Sequence, residues 1–278
     1  MPAPCLPLHA GRRFHSDFSE PASSHQRRSD SLSESLIVDP VAAVVHPKPY
    51  NHPRRERLFF SGMAVAFAAV MFVGFAPTYF LRTLSDRPPL PWLVHVHGVL
   101  SITWILLLLI QTTLVAVKRT DLHRLLGVGG GALAVLMILV GFFVSISAAR
   151  RGAAVDPGTL GFLIVPMGAL IVFPVVVGAA FLLRRRPDFH KRLILIATIE
   201  LMNAAVDRLP GVFAAGLAPF YPGTDLFLLA LVIYDGVTLR RIHPTTLWGG
   251  LFLVAMQVLR VQLMETSAWL AVARWLTS

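Results

Sequence analysis

The sequence predicts an all-α fold, a polytopic transmembrane bundle of about seven helices behind a disordered basic N-terminal tail. Three observations lead there. The 278-residue chain is 55% hydrophobic and only 14% charged, whereas soluble domains carry about 25% charged residues. Its charges cluster between apolar runs of about 20 residues, the length that lets a helix cross a ~30 Å hydrocarbon core. Those runs are too long and too continuous for barrel strands, and lipid admits only helices and closed barrels.

The tail, residues 1 to about 55, holds Arg12, Arg13, Arg27 and Arg28, many serines and the prolines Pro47, Pro49 and Pro53. Apart from Leu36 to Val45 it lacks apolar periodicity, so it cannot bury enough surface to offset chain entropy. Arg12-Arg13 has no apolar stretch soon after it, as a twin-arginine export signal requires. Cys5 is the sole cysteine, which excludes an intrachain disulfide and an intrachain thiolate cluster.

The transmembrane domain occupies residues 56–278. The spans read as about 58–81, 92–117, 125–148, 160–183, 191–209, 224–240 and 246–265, and an amphipathic piece follows over about 267–276, where Trp269 and Trp275 suit a membrane interface. Pro88, Pro89 and Pro91 separate the first two spans. Asp156-Pro157-Gly158 separates the third and fourth, and Pro210, Pro219 and Pro222 the fifth and sixth. Pro166 and Pro174 are expected to kink span four. Gly127 and Gly131, with Gly129 and Gly130 between them, favour close helix packing.

Fourteen Lys and Arg, from Lys48 to Arg241, flank the side where the odd-numbered spans begin, against seven on the other side. Positive residues stay cytoplasmic. The expected topology is an inner (plasma) membrane protein with its N-terminus in the cytoplasm and its C-terminus outside. The net charge of +10 is then explained by topology and anionic lipid. No basic stripe interleaved with aromatics points to nucleic acid.

Three turns on the N-terminal side look alike: Arg119-Thr120-Asp121-Leu122-His123-Arg124, Arg186-Pro187-Asp188-Phe189-His190-Lys191 and Arg240-Arg241-Ile242-His243-Pro244-Thr245. On one reading Asp121 and Asp188 are helix N-caps and the histidines are interfacial. On the other, His123, His190 and His243 converge to ligate a haem or a metal ion, both of which suit imidazole. Bis-histidine ligation needs two residues at similar depth on different helices, as His123 and His190 are.

Ionisable groups inside a bilayer are costly and face the bundle interior. Glu200, Asn203 and Asp207 stand at i, i+3 and i+7, on one face of span five. Glu200 lies about 15 Å along the helix from His190 at 1.5 Å per residue. Gln257 and Arg260 sit at comparable depth on span seven. In span two, His95 and His97 lie about a turn inside the outer surface, and Ser101, Trp104 and Gln111 continue a semi-polar stripe. An outer polar pocket formed by spans two, five and seven is expected from these depths.

His95-Val96-His97-Gly98, Trp104, Gln111, Leu122-His123-Arg124-Leu125-Leu126-Gly127, His190-Lys191-Arg192-Leu193 and Ile242-His243-Pro244 with Trp248-Gly249-Gly250 together resemble a family of bacterial multi-pass membrane proteins described only as a domain of unknown function. The resemblance covers most of residues 57–276. It implies the fold and no activity. The histidines at helix ends are also similar to those of membrane b-type cytochromes.

Three functional expectations follow. The first is a haem-binding or quinone-linked redox protein, with haem b on His123, His190 and His243, or a quinone or small apolar ligand at His95 and His97. The second is a proton-coupled carrier using Glu200 and Asp207, with Arg260 as counter-ion. The third is a metal-dependent membrane hydrolase. A seven-span chain with its N-terminus inside is similar to the receptor and ceramidase superfamily, but the last span lacks the His-x-x-x-His that a zinc site there would use.

Overall fold

The computed structural model describes residues 53–84, 88–209, 212 and 221–278. The expectations for the tail, Cys5 and Pro210 and Pro219 lie outside them. Among the described residues there are helices and turns and no strands. The long helices are α1 (Pro53–Phe75, continued by a π turn Ala76–Phe80), α2 (Trp92–Ala116), α3 (Thr120–Val155), α4 (Ile164–Leu182), α5 (Pro187–Val206), α6 (Tyr221–Leu239) and α7 (Pro244–Leu263), followed by the short α8 (Ser267–Thr277). Two 3-10 segments, Arg82–Leu84 and Pro157–Leu163, precede α2 and α4.

The surface has the polarity that lipid demands. Val65, Phe72, Leu106, Ile110, Val128, Phe143, Ile171, Val175, Ile233 and Leu251 all point outward, while arginine and carboxylate side chains are buried inside. In water such apolar coverage would destabilise the monomer; against acyl chains it is neutral. Six of the long helices are long and apolar enough to cross a membrane.

The exception, α5, corresponds to the fifth expected span. Asp188, Lys191, Arg192 and Glu200 dilute its hydropathy. It is 20 residues long, about 30 Å at 1.5 Å per residue. Helices α1, α4, α6 and α7 pack around it, and most of its residues are buried. A helix walled off by others can carry charge that a lipid-facing helix cannot.

Small residues set the close approaches. A Cβ at Gly74 of α1 would overlap the Ala205 carbonyl of α5. The α3 glycine stripe receives α2 and α4: a Cβ on Gly130 would meet Leu107 at 3.0 Å, and one on Gly131 would meet Phe181 at 3.4 Å. Pro174 lies inside α4.

Helix starts depart from expectation. Asp121 and Asp188 are not N-caps; α3 and α5 begin one residue earlier, at Thr120 and Pro187, which puts both aspartates in the first turn. There they still favour the positive end of the helix dipole. Helix α3 has 36 residues and includes Arg150 and Arg151, well past the expected end of span three. Its far end docks α8: Arg150 donates to the carbonyls of Thr277 and Ser278, and Ala273 is buried there beside Ile146 and Leu163. Trp269 donates its indole N–H to Gly161 O at 3.0 Å, and Trp275 is exposed.

Candidate functional site

The antiparallel connections bring the starts of α3, α5 and α7 to one end of the bundle, called here the near end. His123 and His190 each sit in the first turn of their helix, on α3 and α5. Their rings meet in a T-shaped arrangement, with centroids 6.3 Å apart and planes at 90°. His190 Nδ1 lies 2.9 Å from Ala180 O. A carbonyl only accepts, so this bond puts a proton on Nδ1, and Nε2 is the nitrogen left to act as a ligand. Metal-ligating histidines are held this way by carbonyls and carboxylates. The backbone oxygen of His123 accepts from Gln111 Nε2 at 3.1 Å, which ties α2 to the start of α3.

Both rings line a half-open cleft among α1 to α5, with a cavity of ≈ 170 Å³ inside a wider space of ≈ 1030 Å³ that includes its open mouth. Phe60, Trp104, Leu107, Leu108, Phe181 and Leu195 make most of its wall apolar. The mouth is charged: Arg57 donates to Ala116 O at 3.1 Å, and Lys191 pairs with Glu56 at 2.9 Å and with Asp188 at 2.5 Å. The absence of side chains at Gly127 and Gly130 keeps the α3 wall open.

His243 does not join them. Proline at 244 starts α7 one residue later, so His243 becomes its N-cap, and its Nδ1 accepts from Thr245 N–H at 3.1 Å. Its ring packs edge-on against Phe189 at 4.9 Å. Burial, then the charge of Arg192, hold its pKa below the usual 6.5 against the opposing pull of Asp235 and Asp188. The neutral ring is the form that can accept the capping bond.

Nor do His95 and His97 share a site. His95 is exposed, with Nδ1 3.3 Å from the Tyr79 hydroxyl. His97 lines a second cavity of ≈ 80 Å³ with Met71, Ser101, Met137 and Met202, and its buried Nδ1 has no partner among the described residues. Trp104 borders both cavities, fixed by its indole N–H to Thr198 Oγ1 at 3.2 Å.

The expected polar pocket is built from different helices. Glu200, Asn203, Asp207, Gln257 and Arg260 are all buried. Glu200 Oε1 accepts from Arg260 Nη1 at 2.7 Å. Gln257 reaches a different residue, Asp225, at 3.0 Å. Helix α6 supplies the third wall through Tyr221, Thr224 and Asp225. Span two contributes nothing to it, because α2 packs on α1 and α3, which directs His97 to the opposite side of α5, beside Leu201 and Ala204.

One network has no counterpart among the sequence-derived candidates. Asp235, fully buried in α6, accepts from Arg192 Nη2 at 2.5 Å, Arg192 Nε at 3.1 Å, Thr246 Oγ1 at 2.5 Å and the His243 backbone N–H at 3.2 Å. It clamps α5, α6 and α7 together at the near end. An aspartate deep in the run 224–240, ten residues past the Asp225 near its start, was the available signal. Arg192 was counted among the topology-setting charges, although only 2% of its side chain is exposed.

No three His, Cys, Asp or Glu side chains gather to hold a metal ion among the described residues. The comparisons find no matching family model, no matching curated protein and no matching solved structure.

Proposed function

We propose that the chain is a membrane redox protein that carries one haem b between His123 and His190. The observation behind this reading is the close approach of the two histidine rings. With metal–nitrogen bonds of about 2.0 Å and a ring radius of about 1.1 Å, two imidazoles holding one iron between them would have centroids about 6 Å apart. The observed 6.3 Å agrees, and perpendicular ring planes are compatible with coaxial ligation. The His190–Ala180 bond leaves Nε2 as the ligating atom. The apolar wall suits a porphyrin face, and Arg57 and Lys191 at the mouth suit its propionates. The enclosed part is smaller than the 300–1,000 Å³ typical of ligand pockets, so the macrocycle would occupy the wider open cleft.

His123 and His190 would hold the haem, and the group would supply single-electron transfer, with both histidines engaged and no position left for a substrate. The partner proposed for it is a membrane-soluble quinone, which suits a protein buried in lipid. The topology proposed with it has the near end cytoplasmic, in an inner membrane, as the distribution of Lys and Arg favours. Membership of the bacterial multi-pass family described above is proposed on the same motifs.

The test is the visible spectrum of the protein purified in mild detergent from haem-replete cells, first oxidised and then reduced with dithionite. A Soret band, with α and β bands appearing on reduction, is expected. His123→Ala and His190→Ala each abolish it, and His243→Ala leaves it intact. A featureless spectrum from folded protein overturns the proposal, and a signal that survives loss of both His123 and His190 moves the site to His97.

A further inference from the structure

Away from the histidine cleft, polar atoms without partners concentrate in one place. Glu200 Oε2, Asn203 Oδ1, Asp207 Oδ1, Thr224 Oγ1, and Arg260 Nε and Nη2 are buried and meet no hydrogen-bond partner among the described residues. The side chains are deeply placed, with Glu200 at 1% and Asp207 at 9% exposure. Buried polar groups of native proteins are satisfied by protein or by ordered water. The Arg192–Asp235–Thr246 network on the same three helices leaves none of its own side-chain nitrogens or oxygens unpaired. The unmet atoms therefore belong to this part of the bundle and are not spread evenly along α5.

We infer that α5, α6 and α7 enclose a water-filled proton path that runs from Asp207 to Glu200. The two carboxylates share one helix face seven residues apart, about 10 Å along the axis, with Asn203 between them and Thr224 on the facing helix. Two or three waters making about three hydrogen bonds each would span that distance and satisfy the orphaned oxygens. Asp207 is the α5 C-cap residue, at the end of the bundle opposite the histidine cleft, and is the point of exchange with the aqueous phase. A proton taken from bulk water forms an O–H bond on Asp207 and is relayed through water. It ends on Glu200 Oε2, where it cancels the charge facing Arg260. Release reverses the steps, and no electron moves.

The other charged groups nearby are accounted for. Arg260 from α7 holds Glu200 Oε1, Asp225 from α6 is engaged by Gln257, and Tyr221 from α6 lies beside the Arg260 guanidinium. Arg208 turns back to Ala204 O and stacks over Phe75. Helix α4 meets Arg260 with Gly168, where a Cβ would overlap the guanidinium. The water would therefore lie on the α5–α6 side of the ion pair.

Infrared difference spectroscopy on the full chain in lipid nanodiscs tests this. A carboxylic-acid C=O band that titrates with pH and shifts in D2O within seconds is expected. Labelling glutamate with carbon-13 should move that band, and Glu200→Gln should remove it. If Glu200→Gln fails to fold, the labelled wild-type protein still carries the assignment. Asp207→Asn, which leaves the Glu200–Arg260 pair intact, should slow deuterium exchange of the band by about a hundredfold, the low end for a positioned proton donor. A Glu200 that neither titrates nor senses D2O would overturn the inference, as would exchange unaffected by Asp207→Asn.

Discussion

Replacing Asp235 with alanine isolates the clamp at the near end. The substitution strands the Arg192 guanidinium, 2% exposed, without its counter-charge, and leaving a buried charge unpaired costs about 3–5 kcal/mol. It also takes the acceptor from Thr246 Oγ1 and the His243 N–H, and each orphaned donor adds about 1–3 kcal/mol. These terms overlap where water enters the hole, so a total loss of at least about 4 kcal/mol is expected. The assay is equilibrium unfolding in mixed micelles with rising SDS, followed by tryptophan fluorescence. A double variant, Arg192→Met with Asp235→Leu, removes both charges and should recover about 3 kcal/mol, since buried ion pairs are replaceable by apolar residues. A cost under about 1 kcal/mol for Asp235→Ala would refute the reasoning, as would a double variant no more stable than the single one.

Three further outcomes are expected. Because the folded-state pKa of His243 lies below 6.5, its contribution to stability is complete above about pH 6.5 and is lost as pH falls through the lower folded value; His243→Asn, which keeps a capping acceptor without titrating, should flatten that part of a stability–pH profile measured by thermal unfolding. Gly168→Ala drives a methyl into Arg260 and should destabilise by about 1–3 kcal/mol, as overpacking does, in the same SDS titration. Gly130→Leu presses on Leu107 and fills the histidine cleft; it should abolish the haem spectrum while leaving helix content by circular dichroism unchanged.

Hydropathy and proline punctuation were enough to outline the helices, because a run that must cross lipid has few alternatives to helix. Helix ends were less legible. Asp121 and Asp188 carried a capping signal, yet Thr120 and Pro187 start their helices; at Pro187 this follows because proline needs no N–H donor partner at a first helical position. The same rule separated His243 from His190: in their look-alike turns proline stands three residues before His190 but directly after His243. The i, i+3, i+7 spacing showed that Glu200, Asn203 and Asp207 share a face, but not which helix lies opposite. Depth alone suggested span two for that place, which α6 occupies. Arg192 illustrates a further limit, because near a helix end a topology-setting arginine and a buried clamp look identical until the neighbouring helix is known.

The wrapping of α5 by four other helices also bears on how the protein is made. A segment with lysine, arginine and glutamate inside its run is a poor substrate for the translocon, where each such residue near a helix centre adds about 2.5–3.5 kcal/mol to the cost of insertion. The strongly apolar α4 precedes it by only a short turn, so the two are expected to enter the bilayer as one hairpin. The charges of α5 then stay at the protein–water boundary of the insertion site until α6 and α7 emerge and supply Asp235 and Arg260. Chains truncated after α5 should accordingly be exposed to quality-control proteases, while the complete chain is retained.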